Sequence, residues 1–158
     1  MDGPAFIHNH NRGKTDSYKR VIEGISKARN YLGTDRVSAL MTTSELSLNY
    51  PKEIIDNYLS NGFNSIFLRP LNPYGLALNN TSWDLYFENF VTFYKLALNY
   101  IIDINIRGDF FVEEFTAILL RKMLTPFTTG FVDLQSPAGI INSVVVYNYD
   151  GYVYASDE

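Results

Sequence analysis

Apolar positions recur at three-four spacing over residues 15–33, TDSYKRVIEGISKARNYLG. Tyr18, Val21, Ile22, Ile25, Ala28, Arg29 and Leu32 share one mostly apolar face, which predicts an amphipathic helix. Thr15 or Asp16 can cap its first amides, and Gly33 suits a left-handed stop. RVSALMTTS (36–44) is then nearly continuously apolar in its middle, which predicts a strand covered on both faces. YPKEIIDNYLSNG (50–62) predicts a second helix, with Pro51 at its start and Gly62 at its end. Its buried stripe is Ile54, Ile55, Tyr58 and Leu59. NSIFLRP (64–70) predicts a short buried strand stopped by Pro70. Helices alternating with strands over short connections imply parallel strands joined by right-handed crossovers.

LNPYGLALNN (71–80) is rich in Asn, Pro and Gly, at what would be the carboxyl end of a parallel strand. Ligands bind at that end in such sheets, because the following loops converge there. Residues 82–104 predict a long helix whose core stripe is Trp83, Phe87, Phe90, Val91, Tyr94 and Leu98, and residues 110–123 predict another. In the tail, 142–156, two β-branched and aromatic runs flank Asp150-Gly151, which predicts a hairpin. The fold expected is α/β: a partial (β/α) barrel segment with parallel strands, two following helices and a C-terminal β-hairpin. No internal repeat or low-complexity segment interrupts it.

Composition narrows the function. The 158 residues include 12 Tyr and 11 Phe, enough apolar area for a packed core. The net charge is −4 with scattered Lys and Arg, which argues against a nucleic-acid partner. No apolar run is long enough to cross a bilayer and no signal peptide opens the chain, so a cytoplasmic origin is expected. There is no cysteine, hence no disulfide and no thiolate-bound metal. The chain reads as a piece of something longer, because Met1-Asp2-Gly3-Pro4 is a turn signal with no element before it. Glu158 follows a strand-like run with no closing turn.

DGPAFIHNHNR places Asp2, His8, His10 and Arg12 within eleven residues. His8-Asn9-His10 matches the letters of a nuclease motif, yet the ββα fold and basic surface that motif requires are not visible. Asp2, His8 and His10 could hold a divalent metal, as in a hydrolase, whereas a polar surface loop is the plainer reading. Glu113 and Glu114 read as straddling a solvated helix face. Arg69, leaving a buried strand just before Pro70, could clamp a carboxylate or phosphate bidentately, or pair with a neighbouring helix.

Three segments resemble one family. DGPAFIHNHNR resembles the Asp-Gly-Pro, His and Arg segment after the fourth barrel strand of radical S-adenosylmethionine enzymes with a SPASM extension. ALMTTSELSLNYPKEIIDNYLSNGFNSIFLRPLNPYG is similar to their fifth and sixth barrel units. The tail resembles the start of the SPASM domain, with the signature C-x9–15-G-x4-C, and FVDLQSP and YNYDGYVY are most similar to maturases of the His-Xaa-Ser peptide system.

The resemblance implies residues 1–130 as the later part of the barrel and 131–158 as the start of a SPASM-like region. It implies a parent that modifies a peptide or small protein through a 5′-deoxyadenosyl radical, using S-adenosylmethionine and [4Fe–4S] clusters. Ala138 and Ser156 fall at the first two SPASM cysteine positions, with Gly151 as the motif glycine. The resemblance makes Asp157 a candidate proton acceptor, and Asp2, Gly3, Pro4 and Arg12 border the cofactor and substrate cavity. The radical-cluster loop would lie upstream, so this chain alone is expected to hold no cofactor and to be inactive. Two departures from that reading stay open: a cofactor-free peptide-binding scaffold derived from such a barrel, and the metal hydrolase. A partial barrel leaves strand edges unpaired, so the fragment is expected to dimerise or to cover its edge with its own termini.

Overall fold

The computed structural model describes residues 1–73, 82–131 and 145–154. Two compact units divide the chain, Met1–Phe115 and Thr116–Glu158. The first begins with helices α1 (Ala5–Arg12) and α2 (Ser17–Leu32), then strand β1 (Leu40–Thr43) and helix α3 (Pro51–Ser60). Strand β2 (Ser65–Pro70), helix α4 (Trp83–Ile106) and strand β3 (Val112–Glu113) follow, and helix α5 (Glu114–Leu124) leaves the unit. In the second unit, β4 (Val146–Tyr147) pairs antiparallel with β5 (Val153–Tyr154) across Asp150-Gly151.

The sheet of the first unit has the order β1-β2-β3, all parallel. Helix α3 carries the chain from β1 to β2, and α4 carries it from β2 to β3. The α/β expectation is therefore met, with a three-stranded parallel sheet and a separate two-stranded antiparallel one. Beside β1, the Met1 nitrogen donates to the Leu40 carbonyl at 3.0 Å, so the start of the chain lies along the edge of that strand.

Register fixes which side chains share a face. Met41 is opposite Leu68, Thr43 opposite Pro70 and Ile66 opposite Glu113. Met41, Thr43, Ile66, Leu68 and Glu113 are all buried. Met41, Ile66 and Leu68 meet Ile54, Ile55 and Tyr58 of α3 and Phe93, Ala97, Ile101 and Ile104 of α4 in one core. Removing a fully buried Leu or Ile from such a core costs about 2–5 kcal/mol. The other face carries Leu40, Thr42, Phe67, Arg69 and Val112 and is half open, with Leu40 55% exposed.

Several expectations need correcting. DGPAFIHNHNR is not a surface loop: Pro4 leads into α1, which buries Ile7 and His8. The first strand is shorter than 36–44, because Thr34–Arg36 winds as a 3-10 turn, and its exposed Leu40 shows that only one face is covered. Residues 112–113 form β3, so the following helix starts at Glu114 rather than 110, and Glu113 is buried instead of solvated.

The core stripe of α4 is Tyr86, Phe93, Ala97, Ile101 and Ile104, while Phe87 and Val91 are exposed. Asp16 does not cap α2; its carboxylate accepts from Arg20 instead. Gly33 has φ 91° and ψ 150°, a positive-φ stop outside the left-handed helical region. Leu32 is exposed, whereas Arg29 stays on the packed face, its guanidinium 4.3 Å from the Phe63 ring centroid and donating to the carbonyls of Asn61 and Gly62.

Candidate functional site

The carboxyl ends of the parallel strands gather most of the polar chemistry. Asp2 is 1% exposed, and Arg12 donates to both its oxygens, from Nε at 2.8 Å and from Nη2 at 2.9 Å. This is the bidentate fork that gives a guanidinium–carboxylate pair its strength and orientation. His8 completes the cluster: its Nδ1 accepts the Asp2 amide N–H at 3.2 Å, so its proton sits on Nε2. Burial lowers the His8 pKa against the opposing pull of the Asp2 carboxylate 3.3 Å away. Gly3 makes the close turn possible. Its φ is +118°, and a Cβ there would come within 2.9 Å of the Ile54 side chain.

The next layer is a chain of hydroxyls. Ser44, just past β1, donates to the Asn11 side chain of α1 at 2.8 Å and lies 3.0 Å from Ser47 Oγ. Tyr86 of α4 ties two strand ends together, donating to the Thr43 carbonyl at 2.6 Å and accepting the Leu71 N–H at 2.8 Å. Burial raises its pKa, so it stays a neutral donor. On β3, the Glu113 carboxylate accepts the Leu68 N–H at 3.1 Å and a hydrogen bond from the Tyr94 hydroxyl. Because β3 ends at Glu113, this side chain takes the place of the next strand carbonyl for β2.

Each predicted site residue now has a position. Asp2, Gly3, Pro4 and Arg12 come together, but Asp2 and Arg12 engage each other. Arg69 projects from the open face at the end of β2, exposed and in no ion pair among the described residues. His8 is buried and His10 exposed, on different sides of α1, so the two do not converge. Among the described residues no group of three or more His, Cys, Asp or Glu could hold a metal. Ala138, Ser156 and Asp157 lie outside the described residues, and Gly151 sits in the β4–β5 turn with φ +83°. With no cysteine in the sequence, the donor set of this chain does not fit an iron–sulfur cluster.

A groove of about 540 Å³, which the sequence reading missed, opens beyond the end of β1. One wall is Glu45, Leu48 and Asn49, and the other is a stripe of α4. Ser82, just before α4, and Leu85, Asn89, Thr92 and Leu96 on it recur at three-four spacing, the one signal that could have revealed the groove.

No family model, no curated protein and no solved structure matches this chain.

Proposed function

We propose that this chain is the later part of the (β/α) barrel of a radical S-adenosylmethionine peptide maturase, followed by the start of a SPASM-like region. The observation that carries the reading is the strand order. Met1, β1, β2 and β3 lie side by side in chain order without the reversal that marks a doubly wound sheet. The Asp-Gly-Pro, His and Arg segment closes on itself at the edge of that array, with the Arg12–Asp2 fork bracing α1. In this reading the half-open face of the sheet is the barrel interior, and Arg69 there receives an anionic group such as the carboxylate of the cofactor. When bound, with its cluster held by other parts of the parent, that cofactor would supply the radical chemistry, and the residues here would bind and orient it. The expected compartment is the cytoplasm, and among the described residues no helix is long and apolar enough to cross a membrane.

The test is anaerobic reconstitution of the complete native open reading frame with iron and sulfide. The expected outcome is reductant-dependent release of 5′-deoxyadenosine from S-adenosylmethionine, lost in Arg69→Ala. A frame that encodes no cysteine-rich loop and releases no 5′-deoxyadenosine sinks the reading. A second reading, a cofactor-free peptide-binding scaffold derived from the same barrel, is favoured by the absence of cysteine from the whole sequence.

A further inference from the structure

We infer that the groove between the Glu45–Asn49 turn and α4 is a docking site for an extended peptide segment carrying a lysine or arginine. The inference rests on the binding-scaffold reading and needs no radical chemistry. Length is the first argument. The α4 wall runs from Ser82 to Leu96, about 21 Å at 1.5 Å per residue. That matches about six residues of extended chain and exceeds the reach of a single small amine.

Chemistry is the second. Asn49 on one wall and Asn89 on the other each offer an amide donor and an amide acceptor, the pairing groups of a peptide backbone. Leu85 and Leu96, both more than half exposed, bracket the polar centre and suit alternate apolar side chains. Charge is the third. Glu45 is the only charged residue lining the groove among the described residues, so the complementary ligand is cationic. The Tyr86 hydroxyl at the floor is already committed to Thr43 and Leu71, and holds the groove's inner end rigid.

The experiment titrates the 158-residue chain with acetyl-AGKAGA-amide, acetyl-AGEAGA-amide and N-acetyl-lysine amide, followed by backbone amide NMR. The lysine hexapeptide is expected to shift Glu45, Asn49 and Asn89. The glutamate peptide should bind about fivefold more weakly, the upper end for an exposed ion pair. Glu45→Gln should abolish that preference, while Asn89→Leu should weaken both hexapeptides alike. Both positions are exposed, so neither variant threatens folding. Equal binding of N-acetyl-lysine amide would make this a small-amine site and overturn the proposal. So would shifts that fall elsewhere, or no shift at saturating peptide. Failure here leaves 5′-deoxyadenosine release by the parent untouched, and the converse also holds.

Discussion

The two faces of the three-stranded sheet are built from alternating residues of the same strands and could hardly differ more. On the helix-covered face, Met41, Ile66 and Leu68 pack without exposure, and the polar Glu113 among them accepts two hydrogen bonds. On the other face, Leu40, Phe67 and Val112 are only partly covered, and Arg69 stands exposed. A pleated strand offers each face every second residue, so an apolar pair such as Phe67-Leu68 serves two different environments. Stability of this unit resides on the first face. The second is open to a ligand, to further strands or to a second copy of the chain, the dimer expected for a partial barrel.

The sharpest way to break this contrast is a pair of truncations. Leu68→Ala should cost about 2–5 kcal/mol in urea unfolding, through lost transfer energy and the cavity left behind. Leu40→Ala, opposite in facing and one strand away, should change stability by no more than about 0.5 kcal/mol. Comparable losses from the two would mean that the open face is covered in solution. Sedimentation of the wild-type chain would then identify the cover as a second copy or as the chain's own segments.

A smaller pair compares the charges. Glu113→Ala leaves the Leu68 amide without its acceptor in a buried strand and should cost about 1–3 kcal/mol. Arg69→Ala removes an exposed guanidinium and should be neutral within about 0.5 kcal/mol. If Arg69→Ala proves the more damaging, the arginine has a structural partner and its proposed role as an anion receiver falls.

This contrast also shows what the sequence could disclose. Helices α2 and α3 and strand β2 are legible to within about two residues, because each has a single apolar stripe and a Gly or Pro stop. Helix α4 is legible as a helix but not in its orientation. Its sequence offers two stripes at helical spacing, one through Phe87 and Val91 and one through Tyr86 and Phe93. Only the position of α3 and the sheet decides that the second is buried.

The two-residue β3 is too short to show any period, so FVEEF merges with the helix behind it. Helix α1 has only Ile7 and His8 buried, and a run of His, Asn and Arg hides its amphipathic character. At the site, the sequence brought Asp2 and Arg12 to one place, but their bidentate engagement depends on the turn at Gly3. The groove needed knowledge of two walls more than thirty residues apart.

The last expected effect comes from His8, the one buried imidazole beside the sheet. The groups facing it are the Asp2 carboxylate, the Tyr18 ring packed edge-on from α2 and, further off, the Arg12 guanidinium and the Met1 amine. Its folded-state pKa is lowered, chiefly by burial, so the unfolded chain takes up a proton at a higher pH than the folded one. Stability from this group is therefore complete above about pH 6.5 and is lost as pH falls through the lower folded-state value. Unfolding midpoints at pH 7.5 and 5.5 should fall on acidification, and His8→Asn, which keeps an acceptor for the Asp2 amide, should flatten part of that fall. The Met1 amine is also lowered by burial and keeps its own contribution, starting near pH 8, in both proteins. A steeper fall in His8→Asn would mean that the imidazole is held charged in the folded chain and donates Nδ1–H to Asp2. The cluster would then be an Arg–Asp–His ion triad, and acidification would tighten α1 rather than loosen it.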